Sequence, residues 1–201
     1  MAEPIKLNKV SLRAQKQKLA RYQRFLPALE ARKQQLLMHL SMVRKEIEAA
    51  EARFRETLQE IEAWSALYGD MGPLVNYFTR VEEVRSSIRN IAGLKVPRFE
   101  GVVFADPSYS YFATPATFEE VVAETRKVIE GRQAIQMLKE EESLLFRGFR
   151  KTSQRINLYE QRLIPECRKS IRKISAHLQD QQAAAVGVAK VAKRMTEVAE
   201  T

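Results

Sequence analysis

Apolar positions recur along the first third of the chain with the period of a coiled coil. Alternating steps of three and four residues from Leu12 reach fifteen positions up to Ile61, and twelve of these are apolar or aromatic. This 3.5-residue period is typical of helices whose side chains interlock with a partner helix. The alternative is a helix of an ordinary bundle, but such helices average about 11–12 residues. The sequence predicts one long coiled-coil helix with a seam of Leu12, Leu19, Leu26, Leu29, Leu36, Leu40, Val43, Ile47, Phe54 and Ile61.

A second apolar seam predicts another long helix from about residue 117 to about residue 195. Its spacing changes after Tyr159, because the next steps to Ile171 are all of four residues, and Pro165 lies inside this stretch. Such a stutter locally unwinds a supercoil. The last turns, QQAAAVGVAKVAKRM, suit either a thin helix that enters a narrow space or a frayed tail. The predicted seam consists of Leu138, Leu145, Phe149, Ile156, Tyr159, Leu163, Cys167, Ile171, Ile174 and Leu178.

Each seam needs a partner, and the economical partner is the other arm in antiparallel orientation. Pairing Ile61 with Ile135 sets Leu12 near residue 184. Pro27 then lies within about one turn of Pro165. We therefore expect residues 1–61 and 117–201 to form one unit, a bowed two-helix coiled coil, with residues 62–116 as a separate insert.

The insert breaks the heptads and predicts a small α+β segment. Gly69–Pro73 is typical of a turn, and residues 74 to about 87 carry apolar side chains at helical spacing. Residues 91–97 and 101–104 favour β-structure, a turn is expected at Asp106–Ser108, and residues 109–112 suit a return strand. The fold class is thus mainly α, with a short helix and a β-hairpin between the two arms.

Basic residues concentrate at both ends of the chain. The net charge is +9 over residues 1–45, −7 over 46–146 and +7 over 147–201. Such basic arms favour an acidic partner, which can be nucleic acid, anionic lipid or an acidic protein surface. A nucleic-acid-binding coiled coil and a rod on a membrane surface are therefore alternatives, although no groove-reading motif is present.

The sequence contains no motif that is typical of catalysis or cofactor binding. The sequence has no phosphate-binding glycine loop. His39 and His177 stand apart from other metal ligands, Cys167 on the seam is expected to be a buried thiol, and Glu140–Glu142 are interpreted as solvated helix surface. We expect no enzyme activity, no cofactor and no metal. The start MAEPIKLNKV lacks the apolar core of a signal peptide, and no stretch is apolar enough to span a bilayer, so the expected location is the cytoplasm.

The sequence of residues 146–174, FRGFRKTSQRINLYEQRLIPECRKSIRKI, resembles the C-terminal helix of the D subunit of V-type and A-type rotary ATPases. The run from Arg150 to Glu160, followed by Leu163-Ile164-Pro165, is the most specific part. Residues 12–40 resemble the basic N-terminal helix of that family, and residues 90–99 resemble its central hairpin segment. The likeness covers nearly the whole chain in the order helix, insert, helix.

This resemblance implies the central rotor shaft of a rotary ATPase, peripheral to the membrane and without membrane insertion. It implies torque transmission between ATP hydrolysis or synthesis and proton or sodium translocation. The implied partners are the catalytic A and B subunits, the F subunit of the central stalk and a socket subunit on the membrane side. Nucleic acid is not among them.

Overall fold

Two long helical segments and a hairpin make up the chain. The computed structural model describes residues 6–65, 71–105 and 114–199. The elements in chain order are α1 (Lys9–Ser65), α2 (Gly72–Phe78), β1 (Val81–Ile91), β2 (Leu94–Phe104), α3 (Phe118–Leu158), a π-helical turn (Tyr159–Leu163) and α4 (Ile164–Ala199). The predicted mainly α fold, with a short helix and a β-hairpin between two helical arms, is confirmed.

Helix α1 agrees with the long helix that the heptad pattern predicts. It begins after Asn8, whose Oδ1 accepts a hydrogen bond of 2.7 Å from the N–H of Ser11 and so satisfies a donor at the helix start. The helix continues through Pro27, although proline removes one backbone donor. All fifteen positions of the predicted seam between Leu12 and Ile61 are buried or half-buried. The apolar stripe therefore lies on a covered face along the whole helix.

The hairpin is a two-stranded antiparallel sheet closed by a tight turn. Ile91 pairs with Leu94 at the end of the ladder, and the two residues between them have positive φ, 49° at Ala92 and 78° at Gly93. Two central residues with positive φ match the twist of antiparallel strands, and glycine adopts that conformation without steric cost. The predicted turn at 106–108 and return strand at 109–112 lie outside the described residues.

The predicted helix over residues 74–87 is wrong beyond Phe78. Residues 81–91 form β1. Its pairing with β2 is irregular between Val81 and Glu83 and between Arg85 and Ser86, and buried and exposed positions do not alternate strictly along it. As a result, Val81, Val84 and Ser87 are half-buried while their neighbours are exposed. A spacing of three along a strand imitates the spacing of a helix face.

The packing divides the chain into two units. Residues 1–31 and 152–201 form what we name the terminal unit, and residues 32–151 form the central unit. The main core of the central unit brings together both helices and the hairpin. It consists of Leu36, Leu40, Val43 and Ile47 of α1, Ile91 and Val96 of the hairpin, and Leu145 of α3.

A second core of the central unit lies where α2 meets the start of α3. Phe78 and Phe118 meet edge to face, with ring centroids 5.3 Å apart and an angle of 84° between the rings. Val75 of α2 and the neighbouring Val121 and Val122 of α3 complete the cluster. Phe118 is 1% exposed, so the first residue of α3 is fixed by this cluster.

The hairpin tip packs very closely against α3. A Cβ atom added to Gly148 would collide with Cδ1 of Leu94 and lie 3.2 Å from its Cγ. On the other side, the guanidinium of Arg32 in α1 lies against Gly93, where an added Cβ would be 3.6 Å from Nη2. The tip therefore fits between one glycine of α3 and one arginine of α1.

We expect Gly148→Ala to destabilise the protein by about 1–3 kcal/mol, because Leu94 must leave its site in the core. Gly187→Ala is the matched control, since no atom lies within 4 Å of its added Cβ and alanine favours the helix. Thermal unfolding of both full-length variants measures the difference. Equal melting temperatures for the two variants would show that the tip is not tightly packed.

Candidate functional site

Predicted seam residues of the central unit lie on its covered faces. Five are buried and form part of the main core: Leu36, Leu40, Val43, Ile47 and Leu145. Leu138 and Phe149 are half-buried against that core, whereas Phe54 and Ile61 are half-buried beyond it. Phe54 packs against α3, because a Cβ on Gly131 would lie 3.1 Å from its Cδ2 atom.

Predicted seam residues of the terminal unit are also withdrawn from solvent. Ile156, Cys167 and Ile174 are buried, and burial raises the pKa of the Cys167 thiol. Such a thiol is a poor nucleophile, because the thiolate is the reactive form. The remaining seam residues are half-buried: Leu12, Leu19, Leu26, Leu29, Tyr159, Leu163, Ile171 and Leu178.

The predicted axial register between the arms is wrong in each unit. In the terminal unit the ring of Tyr22 meets that of Tyr159 with centroids 5.2 Å apart, whereas the predicted pairing set Tyr22 against Ile174. Antiparallel helices in this register place Pro27 about three turns away from Pro165 rather than level with it. Heptads specify which face is covered, but a seam of similar residues can slide by whole turns.

Ion pairs of the central unit show its register directly. Arg44 Nε lies 2.7 Å from Glu142 Oε1, and Lys139 Nζ lies 2.7 Å from Glu51 Oε1. Residue numbers rise along α1 as they fall along α3, so these two helices are antiparallel. The hydrogen bond from Lys139 lowers the pKa of Glu51. Both pairs are solvent-exposed, and such pairs contribute about 0–1 kcal/mol each.

The stutter coincides with a π-helical turn. Residues Tyr159–Leu163 are π-helical, and the N–H of Ile164 donates to the carbonyl of Tyr159, five residues earlier. Pro165 has no N–H, so the helix has no regular donor at the next position. The wider turn carries the helix past this gap without a break, and the covered face shifts by one residue, as the four-residue steps in the sequence indicated.

Glu141 was predicted to be exposed and is buried. Its side chain is 8% exposed, and burial, with the charge of Glu46, raises its pKa, while Arg89 and Arg98 act in the opposite direction. The heptad contained the signal, because residue 141 lies three residues after Leu138 and four before Leu145. Thr152, which is 4% exposed, occupies the equivalent heptad position, three residues after Phe149 and four before Ile156.

Arg126 connects the three elements at the base of the hairpin. Its Nη2 donates to the carbonyls of Phe78 at 3.0 Å and Ala105 at 2.9 Å. The guanidinium carbon also lies 5.2 Å from the centroid of the Phe104 ring. The Arg126 side chain thereby donates hydrogen bonds to carbonyls at the ends of α2 and β2, and it adds a cation–π contact.

The C-terminal part of α4 is exposed on all sides. Every residue from 179 to 195 is exposed, and four large apolar side chains are among them: Val186, Val188, Val191 and Met195. Helices in water normally cover their apolar face against another element. This segment, which we name the α4 tip, is a candidate docking surface because a protein partner would cover those side chains.

The net charge of the chain resides in the terminal unit. That unit has 16 basic and 7 acidic residues, a net of +9, whereas the central unit has 18 of each and is neutral. All sixteen basic residues of the terminal unit are exposed. Such a surface attracts acidic partners over distances of about 8–10 Å in physiological salt.

Groups of three or more metal-ligating side chains do not occur in the part of the chain that the structure describes. His39 lies in the central unit and His177 in the terminal unit. Across residues 6–65, 71–105 and 114–199, no helix combines the length and the apolar character needed to cross a bilayer.

The comparison with known families accounts for nearly the whole chain. The family model of the ATP synthase D subunit matches residues 11–194. The chain belongs to this D-subunit family of ATP synthases. It is 33% identical over 189 residues to the D subunit of the V-type ATP synthase of Borreliella burgdorferi, covering 94% of this chain and 93% of the relative. The corresponding D subunit of Chlamydia felis is 31% identical over 197 residues, with 96% and 94% covered.

Both relatives are named as D subunits of V-type ATP synthases. The family does not favour the alternative of a nucleic-acid-binding coiled coil.

We expect Arg126→Met to destabilise the central unit by about 2–4 kcal/mol, because it removes the hydrogen bonds that Arg126 donates to the carbonyls of Phe78 and Ala105. Lys127→Met is the matched control. It removes an exposed pair with Glu124 and should cost about 0–1 kcal/mol. Urea unfolding of the two variants measures both values, and equal stabilities would contradict the bridging role of Arg126.

Proposed function

We propose that this chain is the central rotor shaft of a V-type ATPase and takes no part in catalysis itself. In this role it transmits torque between ATP hydrolysis or synthesis in the A and B subunits and the translocation of protons or sodium ions. The α4 tip carries the proposal, because its exposed apolar helix needs a partner that surrounds it. The bore of a ring of catalytic subunits would enclose such a helix on every side.

The basic terminal unit supports the same role. Its sixteen exposed cations suit a bore with acidic walls. Exposed charge pairs contribute only about 0–1 kcal/mol each, so they can break and re-form at every step of a rotation. An apolar tip together with a charged surface would allow the shaft to be held while it turns.

The packing of the central unit explains how the chain would transmit torque. Leu36, Leu40 and Val43 interlock with α3 and the hairpin in one core, and close-packed cores resist deformation. A twist applied to one helix is therefore passed to the other through these contacts. The F subunit and a socket subunit on the membrane side are the proposed partners beyond the catalytic ring. The chain is then peripheral to the membrane on the cytoplasmic side.

Removal of the residues after Ala184 should weaken binding to the A and B subunits and leave binding of the F subunit unchanged. A full-length triple variant, Val186→Gln, Val188→Gln and Val191→Gln, should have the same effect, because glutamine preserves the helix and removes the apolar surface. The control is Lys190→Gln with Arg194→Gln, which removes charge and keeps the valines. Co-purification of the reconstituted subunits measures binding. Full binding by the valine variant, or loss of the F subunit on truncation, would contradict the assignment of the tip.

Leu40→Asp should lower the number of ions pumped per ATP while ATP hydrolysis continues. An unpaired charge in the core costs several kcal/mol and loosens the contact of α1 with α3. Leu37→Asp is the matched control, because Leu37 is 51% exposed on the same helix. ATP-driven pumping by the reconstituted complex is the measurement. Normal pumping in the Leu40→Asp complex would refute torque transmission through this core.

A further inference from the structure

The hairpin turn packs against a guanidinium that has no acceptor of its own. A Cβ atom added to Gly93 would lie 3.6 Å from Nη2 of Arg32, so the two groups are in direct contact. Within residues 6–65, 71–105 and 114–199, no hydrogen bond or ion pair reaches Arg32, and its Nε is a buried donor without a partner. A buried charged donor is costly unless an acceptor meets it. Arg32 therefore has a binding capacity that the central unit does not use.

The two terminal nitrogens of Arg32 are within reach of a partner. Nη1 and Nη2 are not among the described buried atoms that lack a hydrogen bond, and the residue as a whole is half-buried. The contact with Gly93 and the enclosure of Nε restrict the guanidinium, so binding of a ligand costs less side-chain freedom. A planar guanidinium binds both oxygens of a carboxylate at once. A carboxylate is therefore the group that fits Arg32 best.

The chain segments that meet at the hairpin tip carry basic residues only. Residues 32–45 of α1, 88–98 of the hairpin and 143–151 of α3 contain ten Lys and Arg residues and no Asp or Glu. All 18 acidic residues of the central unit belong to its other stretches, so the neutral total of that unit conceals two regions of opposite charge. Positive charge concentrated in this way attracts an acidic surface.

Exposed cations lie beside Arg32 around the hairpin turn. Leu94 of the turn touches Gly148 of α3, which brings the neighbours of both residues to the same place. These cations are exposed apart from the half-buried Arg32. The set, which we name the tip surface, consists of Arg32, Lys95, Arg147 and Lys151.

We propose that the tip surface docks an acidic segment of a neighbouring subunit, with one carboxylate bound to the terminal nitrogens of Arg32. The proposal rests on the rotor-shaft function, because the assembled complex supplies the neighbour. The relatives are named as subunits of V-type ATP synthases, which favours a protein occupant over nucleic acid or anionic lipid. The guanidinium fixes the position of the carboxylate, and the three exposed cations add attraction over a longer range.

Charge reversal of Arg32 in the full-length protein tests this docking. Dissociation constants are measured separately for the assembled A and B subunits and for the F subunit. Arg32→Glu should raise one of the two constants about tenfold or more, because hydrogen bonds between charged groups contribute on that scale. Arg32→Lys keeps the charge and loses the planar fork, so it should raise the same constant by less. Lys45→Glu, at an exposed position of α1 away from the turn, is the matched control and should stay within about twofold.

A photo-crosslinking amino acid in place of Lys95 identifies the occupant. In the complex assembled from the purified subunits, it should attach to a peptide of another subunit in which Asp and Glu outnumber Lys and Arg. A neutral or basic peptide, or the absence of any product between subunits in the assembled complex, would overturn the proposal.

Unchanged dissociation constants for a folded Arg32→Glu protein would overturn the proposal as well. If Arg32→Glu does not fold, Lys95→Glu combined with Lys151→Glu replaces it, because both side chains are exposed, and full binding by that variant would have the same meaning. Binding to duplex DNA or to phosphatidylserine vesicles that depends on Arg32, without an effect on either subunit, would also contradict a protein occupant. Failure of the unaltered chain to assemble with the A and B subunits would refute the rotor function itself, whereas normal assembly by Arg32→Glu would refute only the docking.

Discussion

The interlocking of α1 with α3 along an apolar stripe is the constraint on which the central unit depends. Leu36, Leu40, Val43 and Ile47 are almost without solvent contact, and each needs a partner surface of matching shape. Leu145 supplies part of that surface, and the hairpin supplies the rest through Ile91 and Val96. The hairpin is therefore a third layer of the core, and its tight turn at Ala92 and Gly93 positions it there.

Close approach of backbone is the second requirement of this core. Gly148 gives Leu94 access to α3, and Gly131 does the same for Phe54 of α1. A side chain at Gly148 would force Leu94 to move, and one at Gly131 would require Phe54 to shift by a few tenths of an ångström. The scarcity of glycine in the chain, seven residues in all, makes these two helical positions informative. Both lie where a large side chain from another element meets α3.

Periodicity predicted the covered faces well and the contacts between them poorly. The fifteen heptad positions of α1 are all covered, because burial of an apolar stripe depends only on the turn of the helix. The axial register was mispredicted, since it depends on particular partners such as Tyr22 with Tyr159. The sequence predicts a helix over the first part of strand β1, up to about Ser87, because the irregular burial pattern of that strand imitates helical spacing. Glu141 was missed because a charged residue in an apolar stripe is visible only to a strict heptad count.

The π-helical turn changes how positions on the last helical segment must be counted. Residues before Tyr159 and after Leu163 lie on one continuous helix, but the π-helical turn shifts the heptad positions of the later residues by one. A spectroscopic label placed by counting heptads from Ile156 would therefore fall on an unintended side of α4. Label positions there are better chosen by counting from Cys167 or Ile174, which mark the inward side beyond the turn.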